Sequence, residues 1–315
     1  MNSSSWFDNQ PVIGKLSPEQ AAAKLREVGE DEAASRLESM GTGLESTGQQ
    51  QFRGESSRRV WWPFQDKPWQ YTAHTFGYLA PNVSNSDPMP IRHIESIAAH
   101  PDLRGKRIKL TLNRLRIAGY PGSGIHRVLL HFYVQHQGTG KAEPLHFNAT
   151  YRVHEGESAG VQGYPVFTGL NVGYEGLSLK CRTINVRNDA DEAFLSFLES
   201  DTFKTGLHLV KTAQPVLAPF SEMALALAKN IGKRNRNVAV QDFDLGLDFS
   251  TTPLQGKLAE GAYIAVQIPE SFKSIWDWDE WVYLPTKGII VKHDDQQELI
   301  PYNYLVFGVS RYEEH

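Results

Sequence analysis

The feature that most constrains the fold is a two-residue hydrophobic period that recurs from Arg104 to Arg311. In the first such segment Ile108, Leu110 and Leu112 alternate with charged and polar residues. This alternation is typical of strands that bury one face of a sheet. It recurs in about eight segments, enough for two packed sheets. We therefore predict a mainly β fold: an antiparallel two-sheet β-sandwich of about eight strands with an α-helical insertion.

Two details of this pattern make local predictions. The apolar parity changes between Leu112 and Leu115, which indicates a β-bulge near Asn113 or Arg114. A predicted hairpin follows, and its second strand alternates apolar residues with polar ones. We expect the apolar set to face inward and the polar set to face solvent: Phe147, Ala149, Tyr151 and Val153 inward, and His146, Asn148, Thr150 and Arg152 outward.

The remaining chain divides into three parts. Residues 1–59 hold two short helices, the first capped by Ser17 and stopped at Gly29, followed by a Gly- and Ser-rich flexible linker. Residues 60–103 form an aromatic-rich extended segment that we expect to pack on the core. Residues 104–315 form the sandwich, and residues 189–231 are its helical insertion. The helical pair is either a tethered recruitment element or an extension packed on the sandwich.

Composition narrows the class of protein. The chain has 315 residues, a net charge of −4 and a single cysteine, so it has no internal disulfide. The sequence shows no signal peptide and no apolar run long enough to span a bilayer. We expect a cytoplasmic protein without a transmembrane segment. We expect no nucleic-acid partner, because only a local basic patch would attract a polyanion to an acidic chain.

One segment matches a catalytic motif. Residues 156–160 read G-E-S-A-G, the G-x-S-x-G pattern in which a strand-to-helix turn exposes a nucleophilic serine. Gly163 and Pro165 prevent a helix after it, so a Gly-Ser loop is the favoured interpretation. The catalytic alternative is a hydrolase that uses Ser158 with His154.

The sequence predicts no cofactor and no metal site of its own. Acidic residues near the C-terminus are the candidates for hard oxygen ligands, namely Asp277, Asp279, Asp294 and Asp295. Five histidines fall on the predicted hairpin without a zinc-binding spacing, and we expect them on its exposed face. Three tryptophans, Trp276, Trp278 and Trp281, are predicted to be buried, the alternative being a stacking platform.

Two basic clusters are candidates for binding phosphate groups. The first, Arg104, Lys106, Arg107 and Lys109, fits a charged edge strand. The second is the candidate phosphate- or lipid-binding set: Lys229, Lys233, Arg234 and Arg236. A solvated surface is the ordinary interpretation of both.

These observations favour a non-enzymatic cytoplasmic interaction protein, or adaptor. Its scaffold would present the tethered helical pair and the apolar face of the insertion to protein partners. The candidate partner-binding residues are Phe203, Leu207, Phe220, Met223 and Leu227. The alternatives are a membrane-engaging effector, lipid-binding or pore-forming, that contacts anionic lipid, and the Ser158 hydrolase.

Overall fold

The computed structural model describes residues 10–43, 67–81, 88–137, 142–191, 195, 207–208 and 214–313. At 40–43, 136–137, 142–143, 207–208 and 214–221 it describes the backbone alone. The described helices are α1 (Pro18–Glu27), α2 (Asp31–Gly43) and α3 (Gln214–Lys233). The described strands are β1 (Ala73–Leu79), β2 (Met89–Pro90), β3 (Arg92–His93), β4 (Arg107–Arg116), β5 (Ile125–Gln137), β6 (Ala142–His154), β7 (Tyr164–Asn171), β8 (Gly176–Asn185), β9 (Leu207–His208), β10 (Val238–Asp248), β11 (Gly256–Lys257), β12 (Gly261–Ile268), β13 (Trp281–Leu284), β14 (Ile289–Lys292) and β15 (Tyr304–Arg311).

Within the described ranges the strands form three sheets. The largest has seven strands in the order β3-β1-β12-β15-β4-β7-β9, and the second has five in the order β11-β10-β8-β5-β6. A third sheet of three strands has the order β14-β13-β2. Only the pairings of β7 with β9 and of β10 with β11 are parallel among those described. The mainly β, antiparallel prediction is therefore confirmed.

The predicted arrangement of two sheets and about eight strands is not found. Several of the additional strands are only two to four residues long, as in β2, β3, β9, β11, β13 and β14. Such strands are too short to show a hydrophobic period, which needs several alternating residues to be recognised. The predicted single strand from Val282 to Lys292 is in fact the hairpin of β13 and β14.

The seven- and five-stranded sheets share one hydrophobic core. Leu110 of β4 and Phe167 of β7 belong to the same buried cluster as Val128 and Phe147 of β5 and β6. The rings of Phe147 and Phe167 lie 6.2 Å apart between centroids. Apolar residues at every second position of facing strands thus bury each other, as the period requires.

The predicted bulge lies at Asn113. Val306 of β15 pairs with Arg114, and the next residue, Phe307, pairs with Leu112, so Asn113 is the extra residue. The bulge moves the buried set from even to odd positions, which explains why Leu115 is buried as well as Leu112.

The N-terminal helices pack on this core. Ser17 forms the predicted capping box with Gln20, and Gly29 adopts a left-handed φ of 83°. Leu25 and Leu37, one from each helix, belong to the main buried cluster. The helical pair is therefore joined to the sheets by its apolar face, the second of the two predicted arrangements, and α2 extends to Gly43 into the predicted linker.

The helical insertion differs from its prediction in its middle part. The apolar pattern of the insertion predicts three helices, and the third, expected to begin at Pro219, is found as α3 with its first residue at Gln214. Leu207, which was predicted to be helical, lies in β9 beside Phe167 of β7. Helix α3 packs on the outer face of the five-stranded sheet, where Leu227 and Ile231 contact Leu129 in a second buried cluster.

The first basic cluster does not lie on an edge strand. Arg107 and Lys109 belong to β4, which pairs with β15 on one side and with β7 on the other. The charges of this cluster therefore do not protect a sheet edge, the role that was predicted for them.

Candidate anion-binding site

Four arginines surround one surface depression at an end of the five-stranded sheet. They come from four segments that the fold brings together: β5, β6, the segment after β8 and the segment before β10. The depression has a volume of about 330 Å³. We call it the arginine pocket, and its lining residues are Ser123, Ile125, Arg127, Arg152, Arg187, Asp189 and Arg236.

Two of the arginines face each other across the β5–β6 hairpin. Arg127 and Arg152 are directly paired in the antiparallel register. Side chains at such positions have Cβ atoms about 5 Å apart, and like charges there destabilise the sheet. Arg127 is held in place by Asp189, whose Oδ1 accepts a hydrogen bond from Nη2 at 3.0 Å. This geometry keeps two guanidinium groups at the same side of the pocket.

The third arginine is fixed by the loop that precedes β5. Arg187 donates from Nη1 to the carbonyl oxygen of Ser123 at 2.7 Å. Gly122 makes this approach feasible, because a Cβ at its position would lie 3.0 Å from Cζ of Arg187. The Gly122 amide in turn donates to Oε1 of Glu30 at 3.0 Å. The loop between α1 and α2 thereby supports one wall of the pocket.

The fourth arginine lies in an unusual backbone conformation. Arg236 has a φ of 67°, in the left-handed region. Its amide donates to Oε2 of Glu27 at 3.1 Å, and Nη1 lies 3.8 Å from Oδ2 of Asp189. Burial raises the pKa of Glu27, but hydrogen bonds from Lys24 and from the Arg236 amide lower it by more. Helix α1 thus helps to hold this arginine over the pocket.

A buried asparagine holds together segments that carry two of the pocket arginines, Arg187 and Arg236. Asn237 donates from Nδ2 to Oδ2 of Asp191 at 2.7 Å and to the carbonyl oxygen of Ile231 at 2.8 Å. Its Oδ1 accepts from the amides of Arg187 at 2.9 Å and Asn188 at 3.0 Å. One side chain therefore joins the end of α3, the segment after β8 and the start of β10.

The charge around the pocket is strongly positive. Its lining includes four guanidinium groups and one carboxylate. Burial lowers the pKa of Arg187, and the positive charges of Arg236 and Arg127 lower it further. Burial, followed by the charge of Arg187, also lowers the pKa of nearby His126 to about 4. In both cases burial is the larger cause of the lowered pKa, and the neighbouring guanidinium groups add to it.

The predicted phosphate-binding cluster is divided by the fold. Only Arg236 lines the pocket. Arg234 forms an ion pair with the buried Asp191, Lys229 is half-buried on α3, and Lys233 is exposed at the end of that helix. Sequence reasoning missed Arg127, Arg152 and Arg187. The first two were detectable only by their outward parity on the hairpin, and their pairing depends on the register.

Three of the five hairpin histidines, His126, His131 and His146, are buried, although solvent exposure was predicted, and the side chain of His136 lies outside the described residues. His131 and His146 stack beneath α3, with Nε2 of His131 3.0 Å from Nδ1 of His146. Nδ1 of His131 lies 2.7 Å from Oδ1 of Asn148, whose Nδ2 donates to the Ala224 carbonyl oxygen at 2.8 Å. The polar face of the hairpin does point outward, but α3 covers it. His154 remains exposed at the end of β6.

These buried histidines are held in the neutral form. Burial lowers the pKa of His131 to about 4, and the charge of Arg182 lowers it as well. Burial and the neighbouring His131 lower the pKa of His146 to about 3. Protonation of either ring would place a charge beneath the helix, so α3 requires both rings to be neutral.

Among the described residues, no activating base is hydrogen-bonded to the serine of the G-x-S-x-G segment. Ser158 forms a single bridge with Arg116, next to the amide of Ala159, which donates to the Leu115 carbonyl oxygen. Its Oγ is buried and has no hydrogen-bond partner among the described residues. His154 is therefore not within hydrogen-bonding distance of the hydroxyl, the arrangement that a serine nucleophile needs.

Two of the four acidic candidates, Asp277 and Asp295, have local structural roles, and all four are exposed. Asp277 caps the turn that begins at Trp278, because its Oδ1 accepts from the Asp279 amide at 2.9 Å. Asp295 accepts from the Gln297 amide in the same way. Within the described ranges no group of three or more histidine, cysteine, aspartate or glutamate residues is placed to hold a metal ion. That statement covers Asp294 as well.

The predicted partner-binding residues of the insertion have different environments. Phe203 lies outside the described residues, and for Leu207 and Phe220 only the backbone is described. Met223 is exposed, whereas Leu227 is buried against the five-stranded sheet. The described apolar face of α3 is therefore covered by the protein itself.

The tryptophans pack together, two of them buried as predicted and Trp276 half-buried. Trp278 and Trp281 are buried, and the rings of Trp276 and Trp281 are stacked with centroids 6.1 Å apart. They fill the space between the seven- and three-stranded sheets, together with Ile91 and Ile290.

Comparisons with known proteins identify no relative: no family model, curated protein or solved structure matches this chain. No helix in the described ranges is both long enough and apolar enough to cross a bilayer.

Proposed function

We propose that this chain is a non-enzymatic adaptor that binds a phosphorylated segment of a protein partner in its arginine pocket. The observation that carries the proposal is the direct pairing of Arg127 with Arg152 beside Arg187 and Arg236. A cytoplasmic location is part of the proposal. It is supported by the free, buried thiol of Cys181, because buried free cysteines are common where thiols stay reduced.

Charge repulsion explains why the occupant should be a dianion. Two guanidinium groups on facing strand positions repel each other, and two more converge on them. A phosphoryl group carries close to two negative charges at neutral pH and has three acceptor oxygens. Arginine donates to such oxygens in a planar, two-pronged geometry, so a single phosphoryl group satisfies several guanidinium groups at once.

The lining supports binding rather than catalysis. The described lining residues offer guanidinium donors and one hydroxyl, that of Ser123. The carboxylate of Asp189 is hydrogen-bonded to Arg127 and so serves to orient it. Recognition of phosphorylated segments by arginine clusters is a common mode of peptide binding, and its chemistry fits this lining. The hydrolase alternative gains no support from the environment of Ser158.

The proposal moves the partner-binding surface away from the insertion. Leu227 and Ile231 of α3 are already used in packing against the sheet. The adaptor hypothesis therefore depends on the arginine pocket and not on an unpaired helix face.

Calorimetric titration with O-phosphoserine and with a library of short phosphoserine peptides tests this function. We expect binding by phosphorylated ligands and none by their unphosphorylated counterparts. The Arg152→Gln variant should weaken binding by about tenfold to a hundredfold, since a charge-assisted hydrogen bond contributes about 1.5–3 kcal/mol. Arg92→Gln is the matched control, because Arg92 is an exposed arginine on β3 in the seven-stranded sheet.

Equal binding of phosphorylated and unphosphorylated peptides would contradict the proposal. So would equal losses in the Arg152→Gln and Arg92→Gln variants, because a general effect of positive charge would then explain the binding. Titration with inorganic phosphate separates recognition of the phosphoryl group alone from recognition of a peptide that carries it.

A further inference from the structure

Three loops meet at the end of the five-stranded sheet opposite the arginine pocket. Residues 103–107 and 172–176 are joined by hydrogen bonds from the Gly105 amide to the Val172 carbonyl oxygen at 3.2 Å and from the Val172 amide to the Lys106 carbonyl oxygen at 2.9 Å. Gly176, the first residue of β8, pairs with Asp248, the last residue of β10. The loop 249–255 therefore follows directly beside the loop 172–176. We call these three loops the distal tip.

One loop of the distal tip presents an exposed tyrosine. Gly173 and Gly176 exchange two backbone hydrogen bonds, of 3.2 and 3.3 Å, and so close a tight turn. Tyr174 stands on this turn with 85% of its surface exposed. These backbone hydrogen bonds fix the conformation of the turn, and the turn holds the ring in solvent.

A second loop presents an exposed leucine. Leu254 is 83% exposed and has a φ of 70°, a left-handed conformation that disfavours a leucine. The loop is held from below by the buried Lys257, whose Nζ donates to the Thr252 carbonyl oxygen at 2.7 Å. Ser250 adds a hydrogen bond from Oγ to Oε1 of Gln255 at 2.7 Å. The fold thus maintains an apolar side chain in water on a strained backbone, which is typical of a functional position.

The third loop adds positive charge. Arg104, Lys106 and Arg107 are all exposed in it. The Cζ of Arg104 lies 4.9 Å from the ring centroid of Phe249, at the base of the leucine loop. One exposed carboxylate, that of Glu175, lies on the tyrosine turn.

The carboxylates of Asp102 and Glu260 also lie near the basic loop. Both are paired with Arg311. With Arg311 counted against Asp102, Glu260 and Glu175, the three basic residues of the loop leave this region with a net positive charge.

We propose that the distal tip docks on the surface of an anionic lipid bilayer. The two exposed apolar side chains stand on separate loop tips, and each can enter a bilayer on its own. A protein partner would instead require one contiguous apolar patch. A tyrosine is suited to the interface because its ring is apolar and its hydroxyl is polar. The basic loop lies where it contacts acidic headgroups once the two tips are inserted.

Vesicle flotation tests the proposal with the full chain. The probes are vesicles of phosphatidylcholine alone and vesicles that also contain phosphatidylserine. We expect binding to the phosphatidylserine vesicles and a loss of about tenfold or more in the Tyr174→Ser, Leu254→Gly double variant. Glycine at position 254 relieves the left-handed strain, so this variant should remain folded. Ile275→Ser is the matched control, because Ile275 is 70% exposed in the segment after β12, away from the distal tip.

Two results overturn the proposal. One is the absence of binding to phosphatidylserine vesicles, and the other is unchanged binding by the double variant. Sedimentation velocity without lipid tests whether the distal tip instead binds a second copy of the chain. Self-association that the double variant abolishes, in a protein that does not float with vesicles, would assign the distal tip to a dimer interface and reject the membrane.

Discussion

The pairing of Arg127 with Arg152 should favour binding of an anion but lower the stability of the unliganded sheet. The Arg152→Glu variant replaces a repulsive cross-strand pair with an attractive one. We expect its free energy of unfolding without ligand, measured by urea titration, to exceed that of the natural protein by about 0.5–1 kcal/mol. It should also fail to bind phosphoserine. A lower stability in this variant would show that the two guanidinium groups do not strain the sheet.

Asn237 should be the most sensitive polar residue of the pocket. The Asn237→Ala variant removes the hydrogen-bond partner of Oδ2 of Asp191 and of the amides of Arg187 and Asn188. We expect a loss of roughly 3 kcal/mol in the free energy of unfolding, measured by urea titration. Asn235→Ala is the control, because the side chain at 235 is exposed and only its carbonyl oxygen accepts a hydrogen bond.

The sequence indicated some of these residues and concealed others. Arg236 was among the predicted phosphate-binding residues, because it belongs to a run of basic residues. Arg127, Arg152 and Arg187 all lie 25 or more residues apart along the chain and become neighbours only through strand register. Hydrophobic period identifies the face of a strand, but it does not identify the partner strand or the offset.

At the scale of the element, α3 should make stability depend on pH through the histidines beneath it. His131 and His146 have folded pKa values of about 4 and about 3, below the ordinary range. As pH falls below about 6.5, the unfolded chain binds protons that the folded chain does not, so stability falls. We expect this contribution to be present above pH 6.5 and to be lost progressively toward pH 4.

A comparison of variants isolates this effect. In the His131→Gln, His146→Gln double variant the fall in unfolding free energy between pH 7 and pH 4 should be smaller than in the natural protein, by on the order of 3 kcal/mol. His154→Gln is the control, since His154 is exposed on the same strand. An identical pH dependence in all three proteins would mean that neither buried ring remains neutral because of α3.

Elements were predictable where a period or a cap was long enough to recognise. The capping box of Ser17, the β5–β6 hairpin and the third helix of the insertion were all correctly predicted. The covering of the hairpin by α3 was not, because alternation in a strand is the same whether its polar face meets water or a helix. The histidines and the asparagine on that face are therefore buried by a tertiary contact that the alternation does not reveal.

At the scale of the whole molecule, the helical pair should contribute to the stability of the sheets. Leu25 of α1 is fully buried in the main core cluster. We expect Leu25→Ala to lower the unfolding free energy by about 3 kcal/mol in a single cooperative transition. Leu254→Ala is the matched control, because that leucine is exposed. A tethered element would instead leave the main transition unchanged, and such a result would restore the recruitment hypothesis.

The two proposed sites lie at opposite ends of one sheet. β8 begins at Gly176 in the distal tip and ends at Asn185, near the arginine pocket. Its ten residues span about 33 Å, at roughly 3.3 Å per residue. The Debye length at physiological salt is only about 8 Å, so charges at one end have little influence on ligands at the other.

This separation predicts that the two sites act independently. Phosphoserine affinity should be the same, within about twofold, for the free protein and for protein bound to phosphatidylserine vesicles. Fluorescence anisotropy of a labelled phosphopeptide, with and without vesicles, measures both values. The Tyr174→Ser, Leu254→Gly variant serves as the control, because vesicles should not affect its anisotropy. A tenfold or larger difference in the natural protein would require a conformational link between the ends of the sheet, since direct electrostatics at this distance cannot supply it.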